Sequence, residues 1–104
     1  LYLGWNDLTG SIPSEIWDLI NLVELDLSGN DLTGSIPSEI ANLTNLYYLW
    51  LTNNQLTGEV PENICDLNVD FNSNHFNISN NQLCPPYPSC IENYVGEQDT
   101  SDCD

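Results

Sequence analysis

The sequence predicts an α/β solenoid, in which short coils stack into a parallel sheet on one side and helical turns on the other. Internal repetition carries this prediction. Residues 1–24 and 25–48 share sixteen of twenty-four positions, and a third copy from Leu49 matches nine of the next nineteen. A fourth copy begins at Phe76, where FNISNNQL repeats the pattern of LWLTNNQL. A fixed period of about 20–50 residues is the signature of a stacked-repeat fold.

Each repeat begins with a predicted β-strand. Apolar residues alternate there with polar or aromatic ones, which is the period of a strand with one buried face. We expect parallel strands at residues 1–3, 25–27, 49–51 and 76–78, in that spatial order. An asparagine follows each strand and is expected to satisfy main-chain groups in the turn; these are Asn6, Asn30, Asn54 and Asn81.

The second half of each repeat is predicted to return along the opposite, convex side. Glycines are expected at the bend and prolines after it; these are Gly10, Gly34, Gly58, Pro13, Pro37 and Pro61. Apolar residues at helical spacing predict short helical or 3₁₀ turns; they are Ile16, Leu19 and Leu22, and Ile40, Leu43 and Leu46. The third coil carries three additional residues within 65–75.

This pattern resembles the plant-type subclass of the leucine-rich-repeat family, whose repeat reads LxxLxLxxNxLTGxIPxxIxxL. The resemblance covers residues 1–83 and implies a right-handed coil with a concave sheet that binds ligands. We therefore predict coils at 1–24, 25–48, 49–75 and 76–83, the last one partial, and a disulfide-bonded cap at 84–104. Leu1 enters directly as a strand residue, so we expect further N-terminal repeats of a longer chain, or a stacked copy, beside it.

Four cysteines without metal-site spacing predict two disulfides and a secreted or cell-surface location. The segment CPPYPSC at 84–90 resembles the cysteine-paired C-terminal caps of extracellular leucine-rich-repeat proteins. That resemblance favours Cys84–Cys90 and leaves Cys65–Cys103, although four cysteines allow three pairings. Three apolar residues at helical spacing are candidates to cover the last coil; they are Ile91, Tyr94 and Val95.

The charge limits the partners. Sixteen carboxylates and no Lys or Arg give a formal net charge of −16, which excludes nucleic acid and anionic membranes as partners. No apolar run is long enough to span a bilayer, so direct membrane insertion is not expected. No cofactor is expected either.

The ligand-binding residues are expected on the concave sheet, where side chains between the buried leucines face outward. The candidates are Tyr2, Glu24, Asp26, Tyr48, Trp50, Thr52, His75 and Asn77. Exposed aromatic rings suit a binding hot spot, although cross-strand aromatic contacts also stabilise a sheet. We predict an extracellular binding or adhesion module for a protein or glycan. The alternatives are an inhibitor of a secreted cell-wall-degrading enzyme and a self-assembling surface or fibre protein.

Three other site hypotheses are weaker. The carboxylates of Glu24 and Asp26 are expected roughly 6–7 Å apart, as in inverting glycosidases, but nothing poises either group, so no catalytic residue and no enzyme is predicted. Oxygen-bearing Asp66, Asn68 and Asp70 alternate as in a calcium loop, but Phe71 stands where the loop needs glycine. Two sequons make Asn42 and Asn77 possible glycosylation sites.

Overall fold

The principal sheet joins one short strand from each coil. In the computed structural model, which describes residues 1–103, it contains β2 (Glu24–Asp26), β4 (Tyr48–Trp50) and β6 (Phe76–Asn77), all parallel and in that order. The first coil adds a single bridge, from Tyr2 to Asp26. Leu25, Leu49 and Phe76 lie side by side across the sheet, so the predicted order and register are confirmed. The strands β2 and β4 begin one residue earlier than predicted, and residues 1–3 form only the bridge instead of a strand.

Two further strand pairs, which the sequence did not predict, follow the asparagine turn of each coil. β1 (Thr9–Ser11) pairs with β3 (Asp31–Thr33), and β5 (Thr57–Gly58) pairs with β7 (Gln82–Leu83), both in parallel. The expected bend glycines lie in or directly after these strands with φ between +77° and +80°. Such angles favour glycine, so the chain can bend at these positions while the adjacent residues stay paired with the neighbouring coil.

On the convex side, each of the first three coils forms a 3₁₀ helix, as predicted. They are η1 (Ser14–Asp18), η2 (Ser38–Asn42) and η3 (Glu62–Asp66), and each follows a proline. The last turn of η2 closes with the Leu43 N–H donating to the Ile40 carbonyl at 3.1 Å. None of the helices within residues 1–103 has the length and apolar character needed to cross a membrane.

The core is a continuous column of apolar side chains between the sheet and the 3₁₀ helices. The alternating strand leucines of the inner coils are completely buried, with Leu25, Leu49 and Leu51 at 0% exposure. Leu1 and Leu3 are 40% and 36% exposed, because no coil packs against their outer side. The strand leucines are therefore completely buried only where a coil packs on both sides of their own.

An amide ladder runs through the stack. The Asn54 side-chain oxygen accepts the Leu32 N–H at 3.1 Å, and its amide nitrogen donates to the Leu27 and Leu51 carbonyls at 2.9 and 3.2 Å. Asn30 and Asn81 make the same set of bonds one coil away. Each of these amides thus satisfies main-chain groups of its own coil and of the coil before it.

The fourth coil is longer than predicted. The Ile91 N–H donates to the Pro88 carbonyl at 3.0 Å and the Tyr94 N–H to the Ile91 carbonyl at 2.7 Å. The third coil makes the same two bonds from Ile64 and Leu67. The boundary drawn between residues 83 and 84 therefore lies inside a coil, because the convex turn continues without the repeat's usual sequence.

Gln98 ends the amide ladder. Its side-chain oxygen accepts the Leu83 N–H at 3.1 Å, and its amide nitrogen donates to the Ile78 and Val95 carbonyls, both at 2.8 Å. These bonds match those of an asparagine in a fifth coil. Two of the predicted covering residues, Ile91 and Val95, are buried in the core, whereas the third, Tyr94, is exposed.

The predicted disulfide pairing is wrong. The structure joins Cys65 to Cys90 and Cys84 to Cys103, with Cα–Cα distances of 5.8 and 5.7 Å. Cys84 and Cys90 belong to the same coil, whereas the lateral neighbours of a coil residue lie on the coils stacked beside it. Each bond therefore ties one layer to the next, and no free cysteine remains among residues 1–103.

Candidate binding face

The outward-pointing residues of the principal sheet form the candidate site, here called the outer sheet face. The central row runs from Tyr2 through Asp26 and Trp50 to Asn77, each paired in register with the next. In the row before it, Glu24 pairs with Tyr48, and His75 follows on the fourth coil. The structure thus brings these seven predicted residues together on one surface.

Four aromatic rings form a continuous cluster on this face. The Tyr48 ring stacks on Trp50 with centroids 5.2 Å apart, and it lies 4.1 Å from the His75 ring. Tyr47 closes the group, 5.1 Å from Tyr48 and 4.8 Å from His75. Aromatic pairs at these separations attract one another beyond simple area burial, so the cluster presents a preformed surface.

A main-chain contact holds one of these rings in place. The Trp50 indole N–H donates to the Asn74 carbonyl at 2.7 Å, and this bond holds the ring beside the sheet. The His75 main-chain N–H donates to the Ser73 hydroxyl at 3.1 Å, which fixes the backbone at this residue. The His75 Nδ1 atom is buried and has no hydrogen-bond partner within residues 1–103. Ser73 and Asn74 both lie within residues 65–75, the segment of the third coil that carries three additional residues, so this segment shapes the face.

Two carboxylates stand directly beside these rings. Glu24 lies opposite Tyr48 and Asp26 opposite Trp50 on the neighbouring strand. One Asp26 oxygen accepts the Ser28 N–H at 3.0 Å, and Gly4 leaves room next to this carboxylate because a Cβ there would lie 3.3 Å from it. The sequence holds no Lys or Arg, so no side chain of those types neutralises either group.

The remaining candidates lie in the row after the central one and on the first coil. The Thr52 hydroxyl donates to the Ser79 carbonyl at 2.9 Å, so this predicted site residue is engaged within the sheet. Tyr2 and Trp5 are 65% and 72% exposed. The Trp5 ring lies over Gly29, where any Cβ atom would overlap it.

Sequence reasoning missed Tyr47 and Asn74. Tyr47 is 45% exposed and contacts His75, and its signal was the Tyr47–Tyr48 pair at the start of a strand. Asn74 acts through its main-chain carbonyl, which no side-chain pattern could reveal.

The calcium candidates do not converge. The Asn68 amide donates to the Thr44 carbonyl at 2.9 Å, and the Asp70 carboxylate accepts the Asn72 N–H at 3.2 Å. Within residues 1–103 no three His, Cys, Asp or Glu side chains are grouped as metal ligands. Asp66, the third candidate, is exposed on η3.

The two candidate glycosylation residues are exposed on opposite sides. Asn42 ends η2 on the convex side, and Asn77 lies on the outer sheet face. The Asn77 side-chain oxygen accepts the Ser79 N–H at 3.0 Å.

Two family models match the sequence. One, described as leucine rich repeats in two copies, matches residues 20–68, and another, described as a leucine rich repeat, matches residues 1–19. No curated protein is significantly similar to the chain.

Solved structures with the same architecture include plant proteins. The BIR3–SERK2 complex from Arabidopsis thaliana is 37% identical with a TM-score of 0.76 and covers 93% of this chain. The Arabidopsis receptor kinase HAESA, in complex with the peptide hormone IDA and the co-receptor SERK1, is 35% identical with a TM-score of 0.79 and covers 93%. A plant ice-binding protein is 31% identical with a TM-score of 0.75 and covers 92%.

The present chain is shorter than these structures. It spans 53% of the matched chain in the BIR3–SERK2 complex, 17% of that in the HAESA complex and 30% of the ice-binding protein.

Proposed function

Because the chain belongs to the leucine-rich-repeat family, we propose that it is an extracellular binding module whose outer sheet face takes up a protein ligand. The observation that carries the proposal is the aromatic cluster beside two unneutralised carboxylates. None of these side chains is needed for the leucine core. Large aromatic side chains that remain accessible next to charged groups are typical of binding hot spots.

The similar structures support a protein ligand. The HAESA structure holds a peptide hormone and a co-receptor, and BIR3 is seen in complex with SERK2. The two disulfides are typical of an oxidising compartment outside the cytoplasm. Both structures are complexes with binding partners, and a glycan that stacks on the same rings is the alternative ligand.

A displayed library of random peptides, selected on the intact protein, tests this proposal. We expect the enriched peptides to lose at least about tenfold in affinity when Tyr48 and Trp50 are both changed to Ala, since hot-spot truncation costs roughly 2 kcal/mol or more. The matched control is Tyr94→Ala, which removes an exposed aromatic ring from the cap. NMR shifts confined to the outer sheet face would support the assignment, and shifts confined to the cap or convex side would contradict it.

The aromatic double variant needs a stability check. Because Tyr48 contacts the rings of Tyr47, Trp50 and His75 and Trp50 donates to Asn74, the loss of three ring contacts and one hydrogen bond should cost about 2–6 kcal/mol of unfolding free energy. Thermal melts of both variants identify the temperature at which all proteins are folded, and binding is compared there.

The exposed edge of the first coil supports the proposal that further repeats or a stacked copy cover it. Leu1, Leu3 and Leu8 are 36–40% exposed, and Leu3 and Leu8 line an apolar crevice with Ile16. Sedimentation equilibrium separates the cases: a self-assembling structural protein should associate in a concentration-dependent way, whereas a binding module should remain a monomer. Inhibition assays against secreted polysaccharide hydrolases test the inhibitor alternative.

Ice binding is a second candidate function, which the hydroxyl-bearing strand pairs favour. Thr9, Ser11, Thr33, Ser35 and Thr57 are exposed at or beside β1, β3 and β5, where strands stack about 4.8 Å apart. Thermal hysteresis, lost when Thr33 is changed to a bulky Tyr, would support this function over protein binding.

A further inference from the structure

We propose that the outer sheet face receives an extended peptide segment that carries arginine at two alternating positions. This inference rests on the proposed function and names the chemistry of the ligand. It follows from the pairing of each carboxylate of β2 with an aromatic ring of β4.

The two carboxylate–ring pairs form two neighbouring subsites. Glu24 with Tyr48 forms the first and Asp26 with Trp50 the second, each pair directly opposite in register. Residues two apart on a strand are separated by about 6.5–7 Å. Side chains two apart on an extended peptide have the same separation, so one segment lying along the strands can reach both subsites.

The charge balance calls for a cationic ligand. The protein has a net charge of −16 and no Lys or Arg, so its electrostatic field favours a positively charged ligand. The Asp26 carboxylate accepts one hydrogen bond, from the Ser28 N–H, and Glu24 makes no side-chain hydrogen bond within residues 1–103. Both carboxylates remain partly exposed, so they can accept donors from a ligand.

The rings distinguish arginine from other cations. A guanidinium group is planar, stacks on aromatic faces and binds a carboxylate in a two-pronged arrangement, whereas an ammonium group acts as a hydrated point charge. Trp50 is already held by Asn74 and by its stack on Tyr48. The receiving surface is therefore ordered before binding, which lowers the entropic cost.

The test uses three capped probes that differ only in the side chain at two positions: Gly-Arg-Gly-Arg-Gly, the same peptide with lysine, and the same peptide with neutral citrulline. Binding is measured by NMR titration of the full chain in about 0.15 M salt, where the screening length is about 8 Å. The site variant combines Glu24→Gln with Asp26→Asn, which keeps the acceptor for the Ser28 N–H.

The matched control combines Glu62→Gln with Asp66→Asn, which removes the same two charges from exposed positions of η3. We expect the arginine peptide to bind with shifts at Glu24, Asp26 and Trp50. The site variant should weaken it at least about tenfold and the control less than about twofold. The lysine peptide should bind at least about threefold more weakly, and citrulline should abolish the shifts.

Equal weakening by the site and control variants would overturn the inference, because binding would then follow net charge alone. Equal binding of the citrulline peptide, or no binding of the arginine peptide, would overturn it as well. Failure of this inference can be distinguished from failure of the proposed function. If library peptides without arginine bind this face and depend on Tyr48 and Trp50, the binding face stands and its arginine specificity falls.

Discussion

Replacing Gln98 with Ala should destabilise the protein even though the residue lies near the end of the chain. The side chain serves three main-chain groups: the Leu83 N–H and the carbonyls of Ile78 and Val95. Each hydrogen bond contributes a net of about 0.5–1.5 kcal/mol. Because Gln98 is half-buried and water reaches part of the site, we expect a loss of about 2–3 kcal/mol.

Two companion variants isolate the cause. Gln55→Ala removes an exposed amide that makes no side-chain hydrogen bond within residues 1–103, and it should change stability by less than about 0.5 kcal/mol. Gln98→Glu keeps the shape and the acceptor for the Leu83 N–H but loses both donors. If hydrogen bonding and not packing is responsible, Gln98→Glu should therefore be destabilised nearly as much as Gln98→Ala.

Urea denaturation measures the free energies, and hydrogen exchange of the Leu83 amide reports the local effect. That amide should be protected in the parent protein and exchange faster in Gln98→Ala. A stability for Gln98→Ala within about 0.5 kcal/mol of Gln55→Ala, or a Gln98→Glu variant as stable as the parent, would refute the role assigned to Gln98.

Four further outcomes are expected. Leu49→Ala should cost about 2–5 kcal/mol in denaturant melts because its side chain is fully buried; a loss below 1 kcal/mol would contradict the core assignment. Gly96→Ala should destabilise the cap, since φ is +67° and a Cβ would lie 2.5 Å from that of Ser79; unchanged melting would contradict this. Mass spectrometry of peptic fragments should recover the two disulfides of the structure and neither of the pairs favoured from the sequence. Burial raises the pKa of Tyr87, whose phenol donates to the Leu83 carbonyl at 3.0 Å. Its contribution to stability is therefore complete below pH 10 and is lost as the pH rises through the higher folded-state pKa; Tyr87→Phe should flatten that alkaline loss.

The repeat period made the principal sheet predictable. Identical residues at a spacing of 24 must occupy equivalent places in successive coils, so Leu25 and Leu49 had to lie side by side. The buried asparagines followed from the same spacing. The outer sheet face was equally predictable, because a strand that buries Leu49 must turn Tyr48 and Trp50 the other way.

The end of the solenoid was not predictable, because there the structure persists while the sequence pattern stops. Gln98 follows Asn81 by seventeen residues instead of 24 or 27, and its longer side chain makes the same hydrogen bonds. The disulfide partners depend on which coils are neighbours, and the length of the fourth coil decides that. Asn74 contributes only a main-chain carbonyl, which carries no sequence signal.

Because of the interleaved disulfides, the two parts of the chain respond differently to a pulling force. Cys65–Cys90 and Cys84–Cys103 overlap along the sequence, so the shortest covalent route from residue 65 to residue 103 passes only through residues 84–90. Under tension between its ends, the first 64 residues can peel away coil by coil to a contour of about 220 Å. The last forty residues can lengthen only slightly until a disulfide is reduced. The protein is thus extensible at one end and tethered at the other, and a reducing agent converts it into a fully extensible chain.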